Sequence, residues 1–338
     1  MNILTNFSLK QYNTFGINAT AKFFAVFNTV DDLKELSHSK SYTKKNTLIL
    51  GGGSNILFTK NVNGLVLKNE LKGIELIKED QHHFYVKAAA GENWHQFVLH
   101  CIQHNYAGLE NLSLIPGNVG ASPMQNIGAY GVELKDVFES LDALNKADET
   151  IHTFSANDCA FGYRESIFKK EYKDEFVILN VIFRLNKFPV YNTSYGAIEQ
   201  ELEKMKVKHA SIQAISQAVI NIRSSKLPDP ANIGNAGSFF KNPTITISDF
   251  NSLEKAYTNM PHYTVDENNV KIPAAWLIEQ CGWKGYRKDD AGVHINQPLV
   301  LVNYGNASGK EIYNLSEKII ESVQEKFKII LEREVNIV

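Results

Sequence analysis

The segment Ile115-Pro116-Gly117-Asn118-Val119-Gly120-Ala121-Ser122-Pro123, continued by Met124-Gln125-Asn126-Ile127-Gly128-Ala129-Tyr130-Gly131, is built largely of small residues and stiffened by two prolines. A connecting turn needs one or two glycines. This loop carries Gly117, Gly120, Gly128 and Gly131. A second run, Gly51-Gly52-Gly53-Ser54-Asn55, follows the apolar strand candidate Thr47-Leu48-Ile49-Leu50. It fails as a dinucleotide fingerprint of the G-x-G-x-x-G kind, because Ile56 holds the third glycine position and no long helix follows. It fails equally as a P-loop, having no Gly-Lys-Ser/Thr. What remains is a row of backbone N–H groups free of side chains, able to wrap a phosphate; a plain glycine turn between strands is an equal reading of that run alone. Together the two loops could cradle a pyrophosphate from both sides without a helix dipole.

The rest of the chain narrows the class. At 338 residues it exceeds one ordinary core, so two or three domains are expected. Apolar residues at 43% and charged residues at 21% are ordinary for a globular protein. A net charge of −2 gives no electrostatic footprint for nucleic acid or an anionic membrane. Cys101, Cys159 and Cys281 are far apart and outside any C-x-x-C pair, which argues against a disulfide framework or zinc site and fits a reducing cytosol. The start, Met1 to Ser8, lacks the basic and apolar regions of a signal peptide, and no apolar run approaches the ~20 residues that span a bilayer. A soluble cytoplasmic protein is expected. The histidines, His82-His83 included, show no metal-ligating spacing beside an acid, so no metal is expected.

Periodicity places the elements. Phe23 to Phe27 is a strand followed by a helix opening near Thr29, and Asn63-Gly64 between apolar stretches predicts a hairpin. Residues 92–105 form a helix through Trp94, Phe97, Val98, Cys101 and Ile102. Strands dominate from about 137 to 185. A helix from about Ser211 to Ser225 stops at Leu227-Pro228-Asp229-Pro230, the best candidate for a domain boundary. The last helix starts at Ser308 with Glu311 completing a capping box, and its stripe is Ile312, Leu315, Ile319, Ile320, Val323 and Phe327. A final strand is expected over 329–338, with Glu332 and Glu334 on one face.

Gly-Gly-Gly-Ser-Asn and Ile-Pro-Gly-Asn-Val-Gly-Ala at this spacing resemble the FAD domain of the vanillyl-alcohol oxidase type of flavoproteins. The extension Pro-Met-Gln-Asn-Ile-Gly-Ala-Tyr-Gly and the opening Asn13-Thr14-Phe15-Gly16 resemble one branch, the UDP-N-acetylenolpyruvoylglucosamine reductases. The resemblance runs from Asn13 to Glu334. It implies an α+β chain: a two-subdomain FAD-binding fold of the vanillyl-alcohol oxidase type plus a C-terminal α+β substrate-binding domain. The implied parts are 1–70, with the terminal strand 329–338 a candidate to join it, then 71–210, and 211–328 for substrate. Implied cofactor residues are Gly51, Gly52, Gly53, Ser54, Asn55, Pro116, Gly117, Gly120, Ala121, Gly128 and Tyr130. Neither loop holds a His or Cys anchor, so FAD is expected to be non-covalent. The family reduces UDP-N-acetylglucosamine enolpyruvate with NADPH as co-substrate, in a ping-pong cycle of peptidoglycan precursor synthesis. No obligate protein partner is implied.

That chemistry needs an acid for carbon and groups that steady an enolate. Ser238, in Gly234-Asn235-Ala236-Gly237-Ser238-Phe239-Phe240-Lys241-Asn242-Pro243, is no nucleophile elbow, since Ala236 and Phe240 stand where glycines are required. Most Gly-Ser pairs simply order a turn, but this string resembles the family's catalytic segment, in which the serine delivers the proton. Arg164, in Phe161-Gly162-Tyr163-Arg164-Glu165-Ser166, is by composition a surface ion-pair partner; the segment resembles the motif around the family's catalytic arginine, whose fork suits a carboxylate or enolate. Glu334 matches the family's catalytic glutamate, with Arg333 where the family often has Pro. Arg223, Lys226 and Lys241 are basic candidates for the uridine diphosphate end. Lys226 and Asn242 match nucleotide-contacting positions, and Tyr195 resembles the loop tyrosine of the first subtype. Two rivals stay open: another flavin oxidoreductase on the same fold, oxidising a hydroxy acid or sugar with oxygen, and a nucleotide-binding sensor without catalysis.

Overall fold

β-branched and aromatic runs separated by turn residues form a four-stranded sheet early in the chain. The computed structural model describes residues 2–338. The sheet consists of β1 (Leu4–Ser8), β2 (Thr20–Phe27), β3 (Thr47–Leu50) and β5 (Val62–Asn69), in the order β1-β2-β5-β3. β5 runs parallel to both β2 and β3, and parallel neighbours need a crossover. Between β2 and β3 the crossover contains α1 (Val30–Ser37). Thr29 caps it, accepting from the Asp32 N–H while the Asp32 carboxylate accepts from the Thr29 N–H.

The hairpin expected at Asn63-Gly64 is absent. Both residues lie inside β5, whose parallel partners on either side leave no place for a reversal. The preceding strand, β4 (Ile56–Leu57), pairs instead with a strand near residue 337.

A second, antiparallel sheet has the order β11-β10-β12-β7-β6, from β6 (Ile74–Glu79), β7 (His83–Ala89), β10 (Phe138–Asn145), β11 (Ile151–Ser155) and β12 (Phe176–Asn186). α2 (Trp94–Gln103), capped by Asn93, shares its core through Trp94, Phe97, Val98, Cys101 and Ile102. The Trp94 and Phe97 rings lie 6.0 and 4.7 Å from that of Phe183 in β12. The short hairpin β8 (Gly128–Ala129) and β9 (Val132–Glu133) closes the long glycine loop. α3 (Gly196–Lys204) and α4 (Ile212–Lys226) bury Ile198, Ile215, Val219 and Ile222 together.

Apart from β4, these elements make up one compact unit: the residues up to Phe7, Ala21–Gly53 and Val62–Ser225. The other unit is Ser8–Thr20, Ser54–Asn61 and Lys226–Val338. Its main sheet has the order β13-β19-β18-β17, from β13 (Gly234–Ser238), β17 (Arg287–Lys288), β18 (Ala291–Val293) and β19 (Val300–Asn303). A smaller sheet, β14-β16-β15, uses β14 (Thr244–Thr246), β15 (Tyr263–Thr264) and β16 (Asn269–Lys271). Helices α5 (Ile247–Glu254), α6 (Ala274–Gln280) and α7 (Gly309–Phe327) complete it. α7 opens on the Ser308–Glu311 capping box and ends at Lys328 in a left-handed conformation. Ile312, Leu315, Ile319, Val323 and Phe327 are buried along it, while Ile320 is half-buried.

The expected strand over 329–338 is reduced to β20 (Asn336–Ile337), parallel to β4, with a separate single bridge at Arg333. Residues 332–334 bond to the Phe239–Lys241 segment and residues 336–338 to the 55–59 segment. Two successive partners replace the one continuous ladder that a ten-residue strand would need. No helix among the described residues is long and apolar enough to cross a membrane.

Candidate active site

In the first unit the two glycine loops meet. A Cβ on Gly52 would stand 2.7 Å from Asn118 Oδ1 and 2.9 Å from the Gly117 Cα, closer than real Cβ contacts come, so only glycine lets these backbones approach. Asn118 is buried and donates to the Gly91 carbonyl at 2.9 Å, and Trp94 N–H donates to the Gly117 carbonyl at 3.0 Å. The second loop is thus hung on α2. Among the described residues the N–H groups of Gly52 and Gly117 donate to no protein acceptor, although neither residue is buried. Accessible amide donors on two facing loops fit the oxygens of a pyrophosphate.

Arg164 folds back onto this loop. It sits in the left-handed region (φ 56°), and its guanidinium donates to the Gly128 carbonyl at 2.7 Å and the Asn126 carbonyl at 3.4 Å. Asn126, fully buried, donates to the Gly162 carbonyl at 3.1 Å and accepts from the Lys135 N–H at 3.0 Å. Ser166 Oγ donates to the Met124 carbonyl at 2.7 Å. The Phe161–Ser166 turn and the glycine loop are therefore one structure.

Tyr130, Tyr195 and Arg223 join this group. The Tyr130 and Tyr195 rings meet edge to face at 5.6 Å. The Tyr130 hydroxyl bonds to Arg223, and burial pushes the Tyr130 pKa up. Burial also lowers the Arg223 pKa, helped by repulsion from Arg164 and opposed by Tyr130. Arg223 Nε donates to the Leu114 carbonyl at 3.2 Å, while the Leu114 N–H donates to His95 Nδ1 at 3.0 Å. His95 therefore keeps Nδ1 unprotonated, and burial followed by Arg223 lowers its pKa.

Sequence reasoning missed Asn111 and Asn126. Asn111 is buried and its amide donates to the carbonyls of Tyr130 (3.0 Å) and Asn192 (2.8 Å), tying the glycine loop to the segment that leads to Tyr195. The burial of both asparagines shows only in the fold, and an asparagine in a polar stretch of sequence reads as exposed. Asn111→Ala is expected to destabilise the fold by about 1–3 kcal/mol, because two carbonyls lose their donor. A shift of the denaturation midpoint checks this, and an unshifted midpoint would show that the two carbonyls find other donors.

The second unit carries the other candidates. Gly237 lies at φ 69°, and a register shift separates Asn235 from Ser238 in the pairing of β13 with β19. A left-handed glycine at such a bulge re-aims the next side chain. Asn235 Oδ1 accepts from the Gly237 N–H at 3.0 Å, and Phe239 and Phe240 anchor the chain beyond Ser238 as buried rings. The opening motif supports this segment: Thr14 Oγ1 donates to the Asn235 carbonyl at 2.6 Å, and the Asn303 amide to the Phe15 carbonyl at 2.9 Å.

Glu334 comes to the same place, its N–H donating to the Phe239 carbonyl at 2.9 Å. The Asn55 amide donates to the Glu334 carbonyl at 3.3 Å, so Asn55 braces this segment, and Ser54 beside it is half-buried. Asn242 Oδ1 accepts from the Ala274 N–H at 2.9 Å at the start of α6. Lys241 is buried with its Nζ 2.5 Å from Glu332. Lys226 is exposed at the end of α4. The structure thus brings Ser238, Glu334 and Asn55 together in one unit. In the other Arg164 is bonded to the Gly128 carbonyl, and Tyr130 meets both Tyr195 and Arg223.

Comparison with known proteins matches residues 21–155 to a domain described as an FAD binding domain. Residues 229–338 match the C-terminal domain of UDP-N-acetylenolpyruvoylglucosamine reductase. Fold and loops together define an FAD-dependent oxidoreductase. Proteins named UDP-N-acetylenolpyruvoylglucosamine reductase from Amoebophilus asiaticus and Flavobacterium johnsoniae are 52% and 53% identical to the chain, with 100% of each sequence covered. The chain belongs to the UDP-N-acetylenolpyruvoylglucosamine reductase family. The crystal structure of the enzyme of that name from Thermus caldophilus shares the fold, with a TM-score of 0.68 over 99% of this chain and 98% of that one at 22% identity.

Proposed function

We propose that the chain reduces UDP-N-acetylglucosamine enolpyruvate to UDP-N-acetylmuramate with NADPH, in the cytoplasm, as a step of peptidoglycan precursor synthesis. The observation that carries this reading is the pairing of the Ser238 segment with the Glu334 segment beside the left-handed Gly237. The relatives' shared name supports the substrate assignment. The backbone N–H groups of Gly52 and Gly117 would hold non-covalent FAD, which when bound would supply two-electron transfer from NADPH to the methylene carbon of the substrate in a ping-pong cycle.

In this reading Ser238 holds a proton on Oγ and delivers it to the carbon beside the carboxylate. A hydroxyl is a weak acid in water, but it can protonate a strongly basic enolate where cations steady the alkoxide. Arg164 supplies a fixed positive charge, and Glu334 assists at the enolate. Tyr195, of the first subtype, closes over the substrate, with Lys226 and Asn242 at the nucleotide. The parts 1–70, 71–210 and 211–328 are read as two cofactor subdomains and one substrate domain.

The test is anaerobic NADPH absorbance before and after addition of UDP-N-acetylglucosamine enolpyruvate. A stoichiometric drop is expected first, then steady consumption only once that substrate is present. Flavin reduction without substrate-dependent turnover would remove the cell-wall assignment and favour an oxidase.

A further inference from the structure

The segment that carries Glu334 is held by very little backbone. Lys241 N–H donates to the Glu332 carbonyl and Glu334 N–H to the Phe239 carbonyl, each at 2.9 Å, around the single bridge between Phe240 and Arg333. A ladder this short opens readily on its own. Extended backbone sends residues 332 and 334 to one side and residue 333 to the other. On the first side Glu332 meets Lys241.

On the other side α7 presents a receptor. Tyr313, Ser316 and Glu317 stand at i, i+3 and i+4, hence on one helix face. Arg333 Nε donates to Ser316 Oγ at 2.8 Å, and its guanidinium carbon lies 4.6 Å from the centre of the Tyr313 ring. Its Nη2 is 2.7 Å from Glu317 Oε1, an ion pair rather than a linear hydrogen bond. Ser316 is fully buried between the apolar positions of α7, with its hydroxyl donating to the Tyr313 carbonyl at 2.6 Å. Tyr313 and Glu317 hydrogen-bond to each other. An arginine held only by surface charge would need none of this. Arg333 has three distinct partners and a side chain only 19% exposed.

The geometry points to Arg333 as a positioning residue of the reductase site: seated on Tyr313, Ser316 and Glu317, it fixes residues 332–334 against α7 and so places the Glu334 carboxylate. This rests on the reading of Glu334 as an active-site group. A guanidinium suits this seat because Nε reaches Ser316 while Nη2 reaches Glu317, whereas an ammonium gathers all its donors on one atom.

The experiment compares Arg333→Ala, Arg333→Lys, Glu334→Gln and the double variant Arg333→Ala/Glu334→Gln, with NADPH and UDP-N-acetylglucosamine enolpyruvate. Arg333→Ala is expected to lower kcat about 10²-fold, the usual scale for a small misplacement of a reacting group. NADPH-driven flavin reduction and flavin content should stay as in the parent, and Arg333→Lys should restore only part of the loss. The double variant should be no slower than Glu334→Gln alone, because both changes act through one carboxylate. Parental kcat in Arg333→Ala, or strictly additive losses, overturns the positioning role while leaving Glu334 in place. An unimpaired Glu334→Gln overturns the reading of Glu334 itself. If Arg333→Ala fails to retain flavin, Tyr313→Leu/Glu317→Gln carries the same comparison, since it empties the receptor and leaves residues 332–334 untouched.

Discussion

Replacing Ser238 with alanine is expected to slow reduction of the enolpyruvyl substrate by about 10²–10⁴-fold, the range a positioned general acid supplies. Flavin reduction by NADPH should proceed at the parental rate, because no proton reaches carbon in that half-reaction. The stability cost should be small. Ser238 is half-buried at the end of β13, and the neighbouring fold is carried by buried Phe239 and Phe240. Stopped-flow absorbance separates the two half-reactions. Full turnover in the variant would show that another group, or water, protonates the carbon.

The second large effect is expected at Gly52. A valine there would drive its Cβ into Asn118 Oδ1 and the Gly117 backbone, neither of which can swing aside, since Asn118 is buried and bonded to Gly91. Overpacking of this kind costs about 1–3 kcal/mol, or roughly 5- to 150-fold in affinity if it falls on the cofactor-bound state. FAD titration into stripped protein should show that weakening. Gly51→Ala is the control. Its Cβ would lie an ordinary 3.7 Å from the Asn118 Cβ, so the loops still meet and binding should weaken far less than in Gly52→Val. Equal FAD affinity in Gly52→Val and the parent would mean that the meeting of the loops has no part in holding the cofactor.

Local chemistry that acts over a few residues was legible in the sequence. The helix opening near Thr29, the Ser308 cap, the α2 stripe and the strand at Thr47–Leu50 all follow from signals within one turn or one pleat. Asn63-Gly64 misled because a turn dipeptide says nothing about partners, and here parallel neighbours on both sides kept the chain straight. The tail misled for the opposite reason. Its alternation was real, with Leu331 and Val335 buried, but its pairing changes partner halfway along. At the site, glycine spacing exposed the loops and family resemblance supplied the roles. Nothing in the spacing could announce that Asn111 ties down Tyr130, or that Thr14 supports the serine segment through a bond spanning 221 residues of sequence.

Those long spans have a cost during synthesis. The second unit recruits residues 8–20 and 54–61, made early, and cannot close until residues 226–338 exist. Thr59 must wait for Val338, 279 residues later, and Phe15 for Asn303, 288 residues later. At about 5–20 residues per second, the early segments spend on the order of 15–60 s outside the ribosome without their partners. Phe15 and Phe58, which end at 0% and 1% exposure, are uncovered throughout that interval. A nascent chain with this layout offers chaperones two short hydrophobic handles, released only once residues 303–338 have been made.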